Sequence, residues 1–215
     1  MTLPRPVAAV VFDMDGLLVD SERVYRDAMG EALETLGWSM SEALFRSMIG
    51  LSDHRALLFE HYGEDFPVVD FYGRVHDLAV ARLAGGAPLK SGALELLDRI
   101  EALELPRAIA TSSSHDTVRL HLGSSGLIER FHTVVARGDY ARGKPAPDPY
   151  LSAAGRLGVD PARCLALEDS HNGVRAAAAA GMMTVMVPDL LEATGEMLEL
   201  CVAIARDLHQ VRGWI

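Results

Sequence analysis

Asp13 and Asp15 close the first apolar run of the chain, in the stretch VVFDMDGLLVDSE at residues 10–22. A buried carboxylate without a partner is costly enough to neutralise or be lost. At i, i+2 spacing on an extended strand, two such groups point to one side and repel each other unless a cation sits between them. Three further polar residues follow apolar runs in the same abrupt way: Thr111 after AIA, and Glu168 with Asp169 after CLAL. A fourth signal is Lys144, set between Gly143 and Pro145 in GKPAPDPY. Two carboxylate clusters, a hydroxyl and an ammonium make a kit for phosphoryl transfer. The carboxylates suit a hard divalent ion such as Mg2+. The hydroxyl and ammonium suit phosphoryl oxygens, and one carboxylate is left as a nucleophile.

Each member has a plainer reading when taken alone. D-x-D-G occurs in ordinary turns, Thr111 could cap a helix, Glu168 and Asp169 could complement a helix dipole, and Lys144 could be a surface cation. An EF-hand is excluded because Val24 stands where the bidentate Glu would be. The eight histidines show no zinc spacing, and His171 reads as a helix-start residue. Composition adds weight to Lys144. The chain has eighteen arginines and two lysines, Lys90 and Lys144, a bias that retains lysine where a compact point charge is wanted. On this basis Lys144→Arg is expected to damage activity while leaving the unfolding temperature nearly unchanged, and Lys90→Arg is expected to be neutral.

The elements that must position these residues are legible as alternating patterns. Short β-branched runs stand at 7–12, 107–111, 133–137, 164–168, 183–187 and 201–205, and helical patterns fill the intervals from residue 92 onward. Strand–helix alternation with continuously apolar strands predicts an α/β fold, a Rossmann-like parallel sheet with helices on both faces. Ligands of such sheets bind beyond the carboxyl ends of the strands, where Asp13, Thr111 and Glu168–Asp169 all fall. From about 17 to 86 the rhythm breaks into helices only, with Ser21, Ser41 and Ser52 placed to cap three of them and a fourth starting near Pro67. This predicts a core of 1–16 and 87–215 with an all-helical insertion at 17–86. The alanine run 176–180 predicts a helix lying close to the sheet.

The chain has 215 residues and a formal charge of −10. Such a field disfavours nucleic acid and anionic membrane as partners, and no apolar run is long enough to span a bilayer. The two cysteines, Cys164 and Cys201, lack a CxxC spacing and read as reduced residues of a cytoplasmic protein.

DMDGLLVDSE, ATSS, GKPAPDPY and LEDSHNGVRAAAAAGM resemble, in order, the four motifs of the haloacid dehalogenase superfamily of phosphohydrolases. The resemblance spans the chain and is strongest to the branch of β-phosphoglucomutase, sugar-phosphate phosphatases and pseudouridine-5′-phosphatase. It implies Asp13 as the nucleophile that becomes an aspartyl phosphate, and Asp15 as the acid and base. Thr111, Ser112 and Lys144 are then phosphate-binding, and Asp13, Asp15 (through its backbone carbonyl), Glu168 and Asp169 serve Mg2+. It makes the insertion a cap, hinged near 17–21 and 85–90, whose Tyr25, Asp53, His54 and Arg55 face the leaving group. The mutases carry a histidine at Tyr25 and an arginine at Asp53, so a phosphatase of small phosphorylated metabolites is favoured over a phosphomutase. The insertion has no lysine, which excludes the superfamily's Schiff-base phosphonate chemistry, and Asp15 argues against dehalogenation. An aspartyl-phosphorylated signalling switch uses a similar kit, but its nucleophile does not follow the first strand. The expected state is a monomer or weak homo-oligomer.

Overall fold

The computed structural model describes residues 3–48, 54–123 and 126–215. Two compact units divide the chain, residues 1–20 with 86–215 and residues 21–85. The first unit is built on six parallel strands: β1 (Ala9–Phe12), β2 (Arg107–Ser114), β3 (Thr133–Arg137), β4 (Cys164–Glu168), β5 (Met183–Met186) and β6 (Ala203–Ile204). Their order in the sheet is β3-β2-β1-β4-β5-β6. The chain therefore winds outward from β1 in one direction and resumes beside β1 in the other, which opens a crevice at the carboxyl ends of β1 and β4.

Helices of this unit are α5 (Ala93–Ala102), α6 (His115–Leu122), α7 (Asp148–Leu157), α8 (His171–Ala179), α9 (Gly195–Leu200) and α10 (Leu208–Arg212). All four residues of β1 are fully buried, as an apolar run covered on both faces requires. Ala176 and Ala177 of α8 are fully buried in one cluster with Cys164 and Ala166 of β4, so the alanine run does let the helix approach the sheet. α8 starts at His171, with the Ser170 hydroxyl accepting from the Gly173 N–H. At the margins of the sheet, β6 is two residues long. In β3 the Val134 carbonyl accepts from Arg156 Nη1 at 2.8 Å, a guanidinium that also pairs with Asp139 at 3.3 Å.

The second unit holds α1 (Ser21–Thr35), α2 (Glu42–Met48), α3 (Arg55–Tyr62) and α4 (Val68–Leu83). α1 begins on Ser21 itself, whereas Ser41 caps α2 by accepting from Leu44 N–H at 3.1 Å. Ser52, the expected cap of the third helix, lies outside the described residues. This unit's core is mainly aliphatic, with Ala28, Leu33, Leu58, Ala79 and Leu83 buried beside Phe71; Phe66 meets Phe71 at 5.5 Å and stacks on Tyr62 with ring centroids 4.9 Å apart. Residues 17–20 pack with the first unit instead. Leu17, Leu18 and Val19 are buried, and Val19 bridges Leu89 in antiparallel fashion. No helix among the described residues is long and apolar enough to cross a membrane.

Candidate active site

Register brings the acidic residues together. Phe12 is paired with Leu167, and the Asp13 N–H donates to the Leu167 carbonyl at 3.0 Å, which sets Asp13 level with Glu168 across two adjacent strand ends. Asp13, Glu168 and Asp169 are all buried and offer oxygens within 4.8 Å of one another. Lys144 enters from the loop between β3 and α7, where the Lys144–Pro145 peptide is cis. Its ammonium donates to Asp13 Oδ1 and, at 2.6 Å, to Glu168 Oε1, with only 6 % of its side chain exposed.

Electrostatics follow from the count of charges. Burial, reinforced by Glu168 and only partly offset by Lys144, pushes the Asp13 carboxyl up to about 8. Burial alone would lower the Lys144 ammonium, but Asp13 and Glu168 outweigh it and hold it above its ordinary value. The Asp13 shift is chiefly the cost of burying a carboxylate, and the Lys144 shift the attraction of two acids that outweighs the same cost. The pocket is short of positive charge and built from hard oxygen donors, which is the chemistry a Mg2+ ion fits.

Glu168 is the most heavily engaged acid. Its Oε1 also accepts from the Tyr150 hydroxyl at 2.7 Å. Its Oε2 accepts from the Asp169 N–H at 3.1 Å, the Ser170 N–H at 3.1 Å and the Ser170 hydroxyl at 3.0 Å. A carboxylate held at five points is fixed in place and in turn orients Lys144. Two glycines allow this density. A Cβ on Gly173 would overlap the Glu168 carboxyl, and one on Gly16, whose φ is +82°, would overlap that of Asp169. Gly173→Ala should therefore displace Glu168, and added Mg2+ is expected to raise the unfolding temperature of the original protein but not of this variant. An unchanged Mg2+ shift in that variant would show that Glu168 does not organise the pocket.

Thr111 is buried, but β2 does not end there as its polarity suggests; the strand runs on to Ser114. The Thr111 hydroxyl accepts from the Ser113 N–H at 3.0 Å, and its carbonyl accepts from the Tyr140 hydroxyl at 3.0 Å. Ser112, one residue on, is exposed. The Asp15 carboxylate is not part of the acidic cluster. It accepts from Ser113 Oγ at 2.7 Å and meets His121 Nδ1 at 2.8 Å. Tyr25 and His54 stand in the second unit, in α1 and ahead of α3; Asp53 lies outside the described residues.

Sequence reasoning missed Tyr150, Ser113, Ser170 and His121. Tyr150 had a signal, since it ends the GKPAPDPY motif in the first turn of α7, where its ring lies 5.1 Å from the ammonium. One expectation needs correction. Lys90 is not an ordinary surface cation: its Nζ lies 2.6 Å from Asp189, with side chains 20 % and 13 % exposed, so Lys90→Arg is no longer expected to be neutral.

The model of the haloacid dehalogenase-like hydrolases matches residues 7–181. A Drosophila melanogaster protein named "Probable pseudouridine-5'-phosphatase" is 41 % identical over 194 residues, covering 86 % of this chain and 83 % of that protein. Among solved structures, a Deinococcus radiodurans HAD family hydrolase with bound phosphate and sodium has a TM-score of 0.81 at 29 % identity, covering 97 % of this chain and 94 % of its own. The Rhodobacter sphaeroides CbbY in complex with phosphate has a TM-score of 0.77 at 27 % identity, covering 95 % and 96 %. With a family model matched over most of its length, the chain belongs to the haloacid dehalogenase-like hydrolases.

Proposed function

We propose that the chain, a phosphoric monoester hydrolase, is a Mg2+-dependent phosphatase of small phosphorylated metabolites, of sugar-phosphate or nucleotide type, working through an aspartyl phosphate on Asp13. The observation that carries this reading is the buried ammonium of Lys144 shared between Asp13 and Glu168, beside Asp169. In this reading an Asp13 carboxylate oxygen attacks phosphorus and the ester P–O bond breaks. The departing oxygen takes a proton from Asp15. Asp15, now a carboxylate, removes a proton from water, whose oxygen attacks phosphorus and frees inorganic phosphate, restoring Asp13. Lys144 and the Thr111 hydroxyl hold the phosphoryl oxygens in line with Asp13. Mg2+, held by Asp13 and Asp169 with the Asp15 carbonyl, would neutralise charge between the nucleophile and the phosphoryl group.

The helical unit, residues 21–85, acts in this reading as the cap that selects the leaving group. The names of the relatives support a phosphorylated substrate, and the Drosophila protein's name puts pseudouridine monophosphate first among candidates. The test is phosphate release from a panel of sugar phosphates, nucleotides, phosphoglycolate and pseudouridine monophosphate. Multiple turnovers that require Mg2+ are expected. Isomerisation of a sugar phosphate without net release would replace the reading with a phosphomutase, and a stable phospho-form without turnover would replace it with a switch. His54→Ala is expected to change preference within the panel more than it changes hydrolysis of 4-nitrophenyl phosphate. Equal losses on every ester would remove His54 from substrate selection.

A further inference from the structure

His121 is the seventh residue of α6, outside the four motifs and far in sequence from Asp15, yet its side chain is only 1 % exposed and its Nδ1 lies 2.8 Å from Asp15 Oδ1. A buried imidazole needs a partner, and here the partner is the carboxylate proposed above as acid and base. The other oxygen, Oδ2, accepts from Ser113 Oγ at 2.7 Å. The backbone of His121 is also engaged, its carbonyl accepting from the Ala87 N–H at 2.9 Å. The imidazole is thus fixed by burial and by the segment that re-enters the core after the helical insertion, while Asp15 is 26 % exposed on the open side.

We propose that His121 is a positioning residue for proton transfer by Asp15, an inference that rests on the acid–base reading of Asp15. The two donors are not equivalent. A hydroxyl rotates, so Ser113 donates to Oδ2 when Asp15 is a carboxylate and accepts from it when Asp15 carries a proton. In this proposal the imidazole carries its proton on Nδ1 and, held in a packed interior, donates it to Oδ1. Oδ1 is therefore the anchored oxygen, and Oδ2 is the one that carries the proton toward the leaving group and takes it back from water. Proton transfer demands hydrogen-bond reach, and a carboxylate free to rotate about its last bond would present the wrong oxygen for part of the time.

The experiment compares His121→Asn and His121→Gln on two aryl esters. The Asn amide nitrogen falls close to where Nδ1 stands, whereas the Gln amide reaches toward Nε2. Phenyl phosphate, with a basic leaving group, depends on the acid far more than 4-nitrophenyl phosphate does. For His121→Gln, kcat/KM is expected to fall roughly thirtyfold on phenyl phosphate and less than about threefold on 4-nitrophenyl phosphate, a fraction of the 10²–10⁴ that general acid catalysis supplies. His121→Asn should stay within about threefold of the original on both, as a retained donor implies. His121→Leu takes the place of the Gln variant should the latter fail to fold.

Asp15→Asn is the reference that separates the two readings. If it slows both esters equally, the acid role of Asp15 fails, and the present inference fails with it. If Asp15→Asn is selective for phenyl phosphate while His121→Gln slows both esters alike, slows neither, or matches His121→Asn, only the positioning role of His121 is overturned.

Discussion

Asp13→Asn is expected to lower turnover by on the order of 10⁴ or more, in keeping with the loss of a covalent nucleophile, and to make the metal-free protein no less stable than before. The two effects have one origin. Asp13 shares a buried pocket with Glu168 and Asp169 while Lys144 supplies the one ammonium among them, and its carboxyl is pushed up to about 8, chiefly by burial. Because the folded value lies above the ordinary 3.8, the folded chain holds this proton more tightly than the unfolded chain. The resulting stabilisation is complete below about pH 4 and is lost as pH rises through about 8. Metal-free protein should therefore lose unfolding temperature between those limits, and Asp13→Asn should lose less. The gap between the two should widen toward pH 8 and then level. Added Mg2+ should reverse the order, since it favours the deprotonated pocket. Near-original hydrolysis by Asp13→Asn would refute the covalent route. A gap that does not change with pH would refute the electrostatic account of the pocket while leaving the chemistry untouched.

Lys144→Arg is the second large effect. A guanidinium is planar, wider and spreads its charge, and the position it would enter is enclosed by Asp13, Glu168 and the Tyr150 ring. It would push the phosphoryl group out of line with Asp13, with a loss in kcat/KM of roughly a hundredfold or more, comparable to losing one preorganised electrostatic contact. The enclosure also revises the expectation for stability. A loop lysine reads as exposed, and an exposed lysine would accept arginine without thermal consequence. At 6 % exposure the larger side chain overpacks, at about 1–3 kcal/mol, so the unfolding temperature should fall by several degrees. Full activity in this variant would remove Lys144 from the site.

The acidic cluster was legible because it lies at places where an apolar strand must end. A buried strand cannot accept a carboxylate in mid-run, so Asp13 and Glu168 mark strand ends, and the parallel order places those ends together. Thr111 marked its strand end less well, because a serine run is compatible with extended backbone and β2 continues to Ser114. His121 was illegible for another reason. Helical spacing shows that a residue faces inward but not which distant group meets it, and Asp15 is over a hundred positions away. α9 and α10 are six and five residues long, too short for periodicity to register, although Thr194 and Asp207 cap them. Lys90 was misread because rarity alone does not distinguish a paired lysine from a free one.

The two margins of the sheet bear on how copies of this chain meet. A growing intermolecular sheet needs a long row of unsatisfied backbone groups to add to. At one margin β6 offers two residues. At the other, Arg156 has already taken the Val134 carbonyl of β3. Each of these features shortens the template that strand addition would find on the folded chain.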